Sequence, residues 1–419
     1  MSPLRAVVVA LLAASHAASP SVDDPWLARL TSLAAARDSH AVDAQLRSAH
    51  GRSLVHLIAA YADGGRRVHL CVLESLIRAA ARSARAPAER PVAIVVWVSN
   101  VDAFRARHGA FVSRLYAALG RQRDTPSVLV LPLSPALAFE GTPLARFFSA
   151  HGPGTLGPFE GNVRSNALRL ALVHRFGGLY LDLDHVVLRD VRSQPARFIA
   201  YQAPPTSINN GLFRFEQPGH PWLATLMAEF SQRFEAHGRE WGGTGPSMWD
   251  AHAKAHCPSL KHSGSRTSPD EAWCAGIARL PFEDTAPILP FNSARNLVRR
   301  TAHVKSPILT RLAQAERNGS LLCVHLYNHE VQRAERASCL GTRARGQPDA
   351  PWAGLGASGA RGGMHRKAST TEALNSKSSS TPPPYASTLI GSLRARHCPA
   401  VFRSLVEGDA EVGVPRCDF

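Results

Sequence analysis

The chain has 419 residues, 45% of them hydrophobic, enough to bury a sizeable core in one large α/β domain with appendages or in several domains. Its 48 Lys and Arg against 32 Asp and Glu give a formal charge of +16, yet the basic residues are scattered through Ala-rich stretches such as residues 76–90. No aromatic-interleaved basic run and no finger or helix-turn-helix spacing accompanies them, so nucleic acid is excluded as the expected partner and the charge reads as solvated surface.

Residues 1–19 join a basic start (MSPLR), a short apolar run (AVVVALLAA) and small residues (SHAAS). That is the pattern of a secretory signal peptide. The apolar stretch over 6–18 spans about 20 Å of a hydrocarbon core ~30 Å thick. A cleaved signal is therefore favoured, with a short type II anchor as the alternative, and any membrane contact is expected only there. Residues 20–66 read as a helical stem, with LARLTSLAAAR and RSLVHLIAAYA as its helices. A helix over VLESLIRAAARSA then leads into the first strong strand, PVAIVVWVSN (91–100), and VLVLPL (128–133) gives a second. Continuous apolar runs of this kind suit a parallel sheet covered on both faces.

NVRSNALRLALVHRF (162–176) carries Val163, Ala167, Leu170 and Ala171 at helical spacing, and Gly177-Gly178 ends that helix. LYLDLDHVVL follows as a strand, so helix, Gly-Gly, strand and acidic pair form one unit of an α/β sheet. Residues 198–202, 209–234 and 321–330 supply later elements. Residues 336–386 are rich in Gly, Ser, Ala and Pro and read as a disordered insertion; a short amphipathic helix follows, packing on the catalytic domain, with a tail to 419.

Seven cysteines, at 71, 257, 274, 323, 339, 398 and 417, include no C-x-x-C pair, which removes the usual zinc spacing. In an oxidising lumen some should pair, and Cys257 with Cys274, flanking a polar loop, is the first candidate. The sequon at Asn318 agrees with passage through the secretory pathway.

The chemistry centres on Asp182 and Asp184. On a strand, side chains two apart point the same way, so the two carboxylates lie about 7 Å from each other and repel unless a cation joins them. Oxygen ligands favour Mg²⁺ or Mn²⁺, which keep positions open for a diphosphate. Strand ends are also where open α/β sheets place ligands. Without a cation, the pair is two solubilising surface aspartates.

The stretch NVRSNALRLALVHRFGGLYLDLDHVVLRDV resembles the signature of the DXD-motif glycosyltransferases. The resemblance is to the α-1,4-galactosyl- and α-1,4-N-acetylglucosaminyltransferase-like group, related to initiation-specific α-1,6-mannosyltransferases. TPLARFF, RPVAIVVWVSN, NNGLFRFEQPGHPWL, WGGTGP, VHLYNHE and STLIGSLRARHCP resemble further segments of that family in the same order. The resemblance covers roughly residues 67–335, the expected catalytic domain, together with 387–402.

It implies a GT-A-type nucleotide-sugar-binding fold, α/β with a mostly parallel central sheet flanked by helices. It also implies a retaining enzyme of the Golgi lumen, or one secreted, that moves a sugar from a nucleotide-sugar donor to a glycan or glycolipid acceptor, with Mn²⁺ or Mg²⁺. By the same resemblance Asp182 and Asp184 take metal and diphosphate, and Arg169 reaches the donor. Asn166 stands where the family has Asp. Asn210 and Gly211 lie beside the transferred sugar, and His325 is a third metal ligand. Tyr180 and Trp97 join the donor-binding set, Trp97 otherwise being packing and His325 otherwise a core histidine. WGGTGP and Tyr327 depart from the galactosyltransferase-like pattern, and the former leans to the mannosyltransferases, so the donor is a UDP-sugar or GDP-mannose. A metal-dependent phosphodiesterase and an inactive glycan-binding relative are the competing readings.

Overall fold

The computed structural model describes residues 42, 46, 53–61, 63, 65–82, 91–119, 126–203, 207–260, 272–285, 314, 318–326 and 389–407. The expected leader over 1–19, the insertion over 336–386 and Tyr327 lie outside them. The apolar runs form one half of a seven-stranded sheet. Strand β1 (Ser53–Ala59) lies parallel to β2 (Val92–Val98), which pairs in parallel with β3 (Ser127–Pro132). On its other side β1 pairs in parallel with β4 (Gly178–Leu181). A short strand, β5 (His185–Val187), follows β4 in the chain and leaves the sheet. β6 (Arg197–Ala203) and β7 (Ser207–Phe215) complete the other half with β8 (Ala278–Leu280). The order is β3-β2-β1-β4-β7-β6-β8, with antiparallel pairs at β4-β7 and β7-β6.

The expected α/β layout with a mostly parallel sheet is present, and both faces are covered. On one face Val55, Leu57, Ile94 and Val96 pack with Val72, Leu76 and Ile77 of helix α1 (Leu70–Arg82) and with Phe104 and Phe111 of α2 (Val101–Leu119). On the other face Ile58, Val95 and Trp97 pack with Val163, Ala167, Leu170 and Ala171 of α3 (Glu160–Phe176). Each fully buried Val, Leu, Ile or Phe among them contributes about 1.5–3 kcal/mol by leaving water.

Two expectations from the sequence are corrected. RSLVHLIAAYA, read as a stem helix, contains the central strand β1. Its apolar residues gain parallel partners on both edges, and that tertiary pairing overrides the helix-forming alanines around it. LYLDLDHVVL is not one strand. β4 stops at Leu181, the chain turns through Asp182–Asp184, and β5 pairs with β9 (Cys323–His325) in a separate two-stranded sheet.

Helix α3 ends as its sequence indicates. Gly177 caps it at φ 69° and Gly178 follows at φ 102°, a region that side chains disfavour. Downstream come α4 (Pro221–Ala228), α5 (Phe230–His237) and α6 (Pro246–His256). The last described elements, α7 (Leu389–His397) and α8 (Pro399–Glu407), dock on α1. A Cys71–Cys398 disulfide fastens them, and the buried Glu74 carboxylate accepts N–H bonds from Ala400 and Val401 at 3.0 and 2.8 Å. A carboxylate at a helix N-terminus satisfies donors the helix itself leaves open. The expected Cys257–Cys274 bridge is also formed. Asn318 of the sequon is exposed. No helix among the described residues is long and apolar enough to cross a membrane.

Candidate active site

Three segments bring polar side chains together where the sheet changes from parallel to antiparallel. Helix α3 supplies Ser165, Asn166 and Arg169, the chain leaving β4 supplies Asp182, and β7 supplies Asn210 and Gly211. Antiparallel pairing sets Leu181 opposite Leu212, which delivers Asp182 against Gly211. The Asp182 N–H donates to the Gly211 carbonyl at 2.9 Å. A Cβ on Gly211 would stand 2.3 Å from Asp182 Oδ2, so only glycine leaves the carboxylate its place.

Arg169 is the hub. Its Nη1 donates to Asp182 Oδ2 at 3.1 Å and to the Asn210 carbonyl at 2.9 Å, and its Nη2 donates to Ser165 Oγ at 3.0 Å. The guanidinium also lies 4.8 Å from the centre of the Tyr180 ring, whose hydroxyl donates to Asp182 Oδ1 at 2.6 Å. Such forked donation needs arginine rather than lysine. Burial pushes the Tyr180 phenol well up, and Asp182 adds to that, so Tyr180 stays a donor. Asn210 Nδ2 donates to Asn166 Oδ1 at 2.8 Å, and Asn166 reaches Thr244 Oγ1 at 3.5 Å. Gly245 at the start of α6 closes on both amides; a Cβ there would lie 2.9 Å from Asn166 Nδ2.

Asp184 occupies a different setting. Register in the β5–β9 pair sets His185 opposite His325, and their rings stack with centroids 4.4 Å apart. Asp184 Oδ2 lies 3.2 Å from His325 Nε2, and Oδ1 lies 3.5 Å from His185 Nδ1. Burial drives the Asp184 carboxyl up, but the adjacent His325 and the hydrogen bonds of both histidines reverse this and hold it well below the usual carboxylate range. Burial lowers His325 as well, and the Asp184 charge overrides it, so that histidine is raised. His185 is lowered by burial first and by His325 second.

One carboxylate oxygen and two imidazole nitrogens, all within 4.8 Å of one another, form a donor set that could hold a divalent ion. Spacing along the chain does not mark His185, which directly follows the acidic pair. The strand register with His325 reveals it. Asp182, expected as a metal ligand, holds Arg169 and Tyr180 through its two oxygens.

Trp97 takes its packing alternative. It is 1% exposed, packed in the core, and its indole N–H donates to His56 Nδ1 at 3.1 Å, while His56 Nε2 donates to the Gly177 carbonyl at 2.8 Å. Tyr61 and His69 stack with centroids 4.7 Å apart and line a small pocket with Leu183 of the acidic turn. Tyr61 follows β1, and reading that strand as a stem hid it. Trp241 stands on the surface, 64% exposed.

Among curated proteins, the lactosylceramide 4-alpha-galactosyltransferase of Pongo pygmaeus is 33% identical over 163 residues, 39% of this chain and 69% of that protein. The Homo sapiens protein of the same name is 32% identical over 39% of this chain and 43% of its own length. The Homo sapiens alpha-1,4-N-acetylglucosaminyltransferase is 30% identical over 34% of this chain and 40% of its own. The chain thus spans less than half the length of both Homo sapiens relatives. No protein-family model matches. Among solved structures, PaToxG glycosyltransferase superimposes at TM-score 0.33 with 14% identity, covering 55% of this chain and 81% of that one. Mouse xyloside xylosyltransferase 1, apo form, gives 0.33 and 15%, covering 50% and 84%. Scores so low carry no argument.

Proposed function

Because the chain belongs to the family of lactosylceramide 4-alpha-galactosyltransferase and alpha-1,4-N-acetylglucosaminyltransferase, we propose that it moves a hexose or N-acetylhexosamine from a nucleotide sugar, a UDP-sugar foremost, to a glycan or glycolipid. The observation that carries this reading is the adjacency of the Asp184–His185–His325 donor set to the Arg169–Asp182–Asn210 network. A diphosphate needs cationic partners on one side, and a sugar needs directional hydrogen bonds on the other.

Asp184, His185 and His325 would hold a divalent ion, Mn²⁺ or Mg²⁺, which neutralises growing negative charge on a diphosphate leaving group. Arg169, kept rigid by four acceptors, keeps Asp182 and the Asn210 carbonyl at fixed positions. The Asn166 and Asn210 amides and Thr244 offer neutral donors and acceptors for sugar hydroxyls.

Retention follows from front-face transfer. The acceptor hydroxyl attacks the anomeric carbon on the face the diphosphate leaves, and its proton passes to the departing phosphate oxygen. Asp182, the carboxylate nearest Asn210, is already bonded to Arg169 and Tyr180, which favours this route over a covalent glycosyl-enzyme. The two disulfides support an oxidising compartment, the secretory lumen.

The test incubates the protein with Mn²⁺, a panel of UDP- and GDP-sugars and an acceptor array. Transfer from a UDP-sugar that stops on chelation and in Asp184→Asn is expected. Transfer from GDP-mannose alone would move the donor to the mannosyl branch. Phosphodiester cleavage without transfer, or glycan binding without turnover, would overturn the proposal.

A further inference from the structure

A second cluster of ligating side chains lies outside the site just described. Glu229 sits at the junction between α4 and α5, and His252 and His256 occupy successive turns of α6. His252 Nδ1 lies 3.0 Å and His256 Nε2 2.8 Å from the same atom, Glu229 Oε1. The three ligand atoms fall within 4.8 Å of one another. We propose that Glu229, His252 and His256 form a site for a divalent transition metal, Zn²⁺ in class, that fastens the C-terminal half of α6.

The chemistry of the donors points to zinc. Two imidazoles four residues apart share one helix face, and a carboxylate from a neighbouring helix supplies the third ligand. Imidazole nitrogen ranks zinc above the hard ions that oxygen-only sites select. As plain hydrogen bonds, both contacts would require each ring to carry its proton on the nitrogen facing one oxygen. A bound cation instead uses both lone pairs at once.

The surroundings fix the rings in advance. His252 is fully buried, meeting Trp222 edge-on at 4.7 Å and stacking on Trp273 at 5.9 Å. Directly after His256, Cys257 bonds to Cys274, whose sulfur also contacts the His256 carbonyl at 3.3 Å. Glu229 and His256 keep 23% and 25% of their side chains exposed, which leaves access for the ion and for a water as fourth ligand.

The location has a use. The same helix begins at Gly245, which abuts the Asn166 and Asn210 amides, and His252 follows about 10 Å along the axis. A metal there would anchor the element that closes one wall of the polar network. The inference does not depend on which donor the protein uses.

The test strips the full chain of metal, adds Zn²⁺ alone, dialyses, and counts retained zinc by mass spectrometry. Asp184→Asn serves as the background, so that the other cluster does not contribute. That background should hold one zinc per chain, show the visible bands of four-coordinate cobalt when Co²⁺ replaces it, and melt higher with Zn²⁺ than without. Adding His256→Gln or, separately, Glu229→Gln should weaken zinc about 100-fold or more and remove the melting shift. Circular dichroism and the intact disulfides identify the variants that fold. Zinc retention unchanged by both substitutions, or no zinc retained by the background, would overturn the site.

Discussion

Asp182 and Asp184 stand two residues apart, yet they meet opposite kinds of partner. Asp182 faces a permanent cation and a phenol that keeps its proton, so both its oxygens are committed within the protein. Asp184 faces two imidazoles, groups that exchange protons or a metal with solvent. The contrast teaches that one acidic motif can divide its labour: one carboxylate builds the frame and the other remains available to a ligand. The turn at Leu183 makes the division, since a continuous strand would have sent both to the same partner.

Substitutions can break that contrast. The largest effect is expected for Asp184→Asn, which should lower sugar transfer about 100-fold or more while lowering the melting temperature less than Asp182→Ala does, because an amide still hydrogen-bonds both histidines. Initial rates and calorimetry on the same preparation check it. Asp182→Ala should do the reverse in stability. It leaves the Arg169 guanidinium, 7% exposed, without its carboxylate and should cost about 2 kcal/mol in urea unfolding, below the fully buried range because Asp182 itself is 29% exposed. Equal effects of the two substitutions on both readouts would erase the distinction.

Gly211→Ala sharpens it further. The new methyl would press on Asp182 and not on Asp184, costing about 1–3 kcal/mol. Metal affinity measured by titration should stay unchanged in that variant.

The smallest effect concerns His56, which latches Gly177 just before β4 delivers both aspartates. Burial holds its pKa at about 4, against 6.5 when unfolded. Between those values the unfolded chain binds a proton that the folded chain does not, so stability falls as the pH drops through this window. From pH 7 to 5.5 His56 should account for about 1 kcal/mol of loss, and His56→Gln should remove that share from the slope of the denaturant midpoints, while His69 and His220, also lowered to about 4, keep the rest.

The helix–Gly-Gly–strand unit was legible because a periodic apolar face, two glycines and a short apolar run each speak locally. The grouping of Asn166, Arg169, Tyr180, Asn210 and Gly211 was legible through family resemblance. β1 was not, since SLVHLIA suits either helix or strand and only its neighbours on both edges decide. The partition of the aspartates and the entry of His185 were hidden too. They depend on where a strand stops and on a pairing between residues 140 positions apart, which spacing along the chain does not encode. Trp97 shows the converse, an aromatic on the first strong apolar run that the sheet turns inward.

The Cys71–Cys398 bond closes a covalent ring around most of the polypeptide. A single backbone cut anywhere inside that ring therefore opens a loop without shedding a piece, and the terminal helices stay fastened to α1. A chain nicked there would still migrate as one piece under non-reducing conditions and separate into fragments only once the sulfurs are reduced.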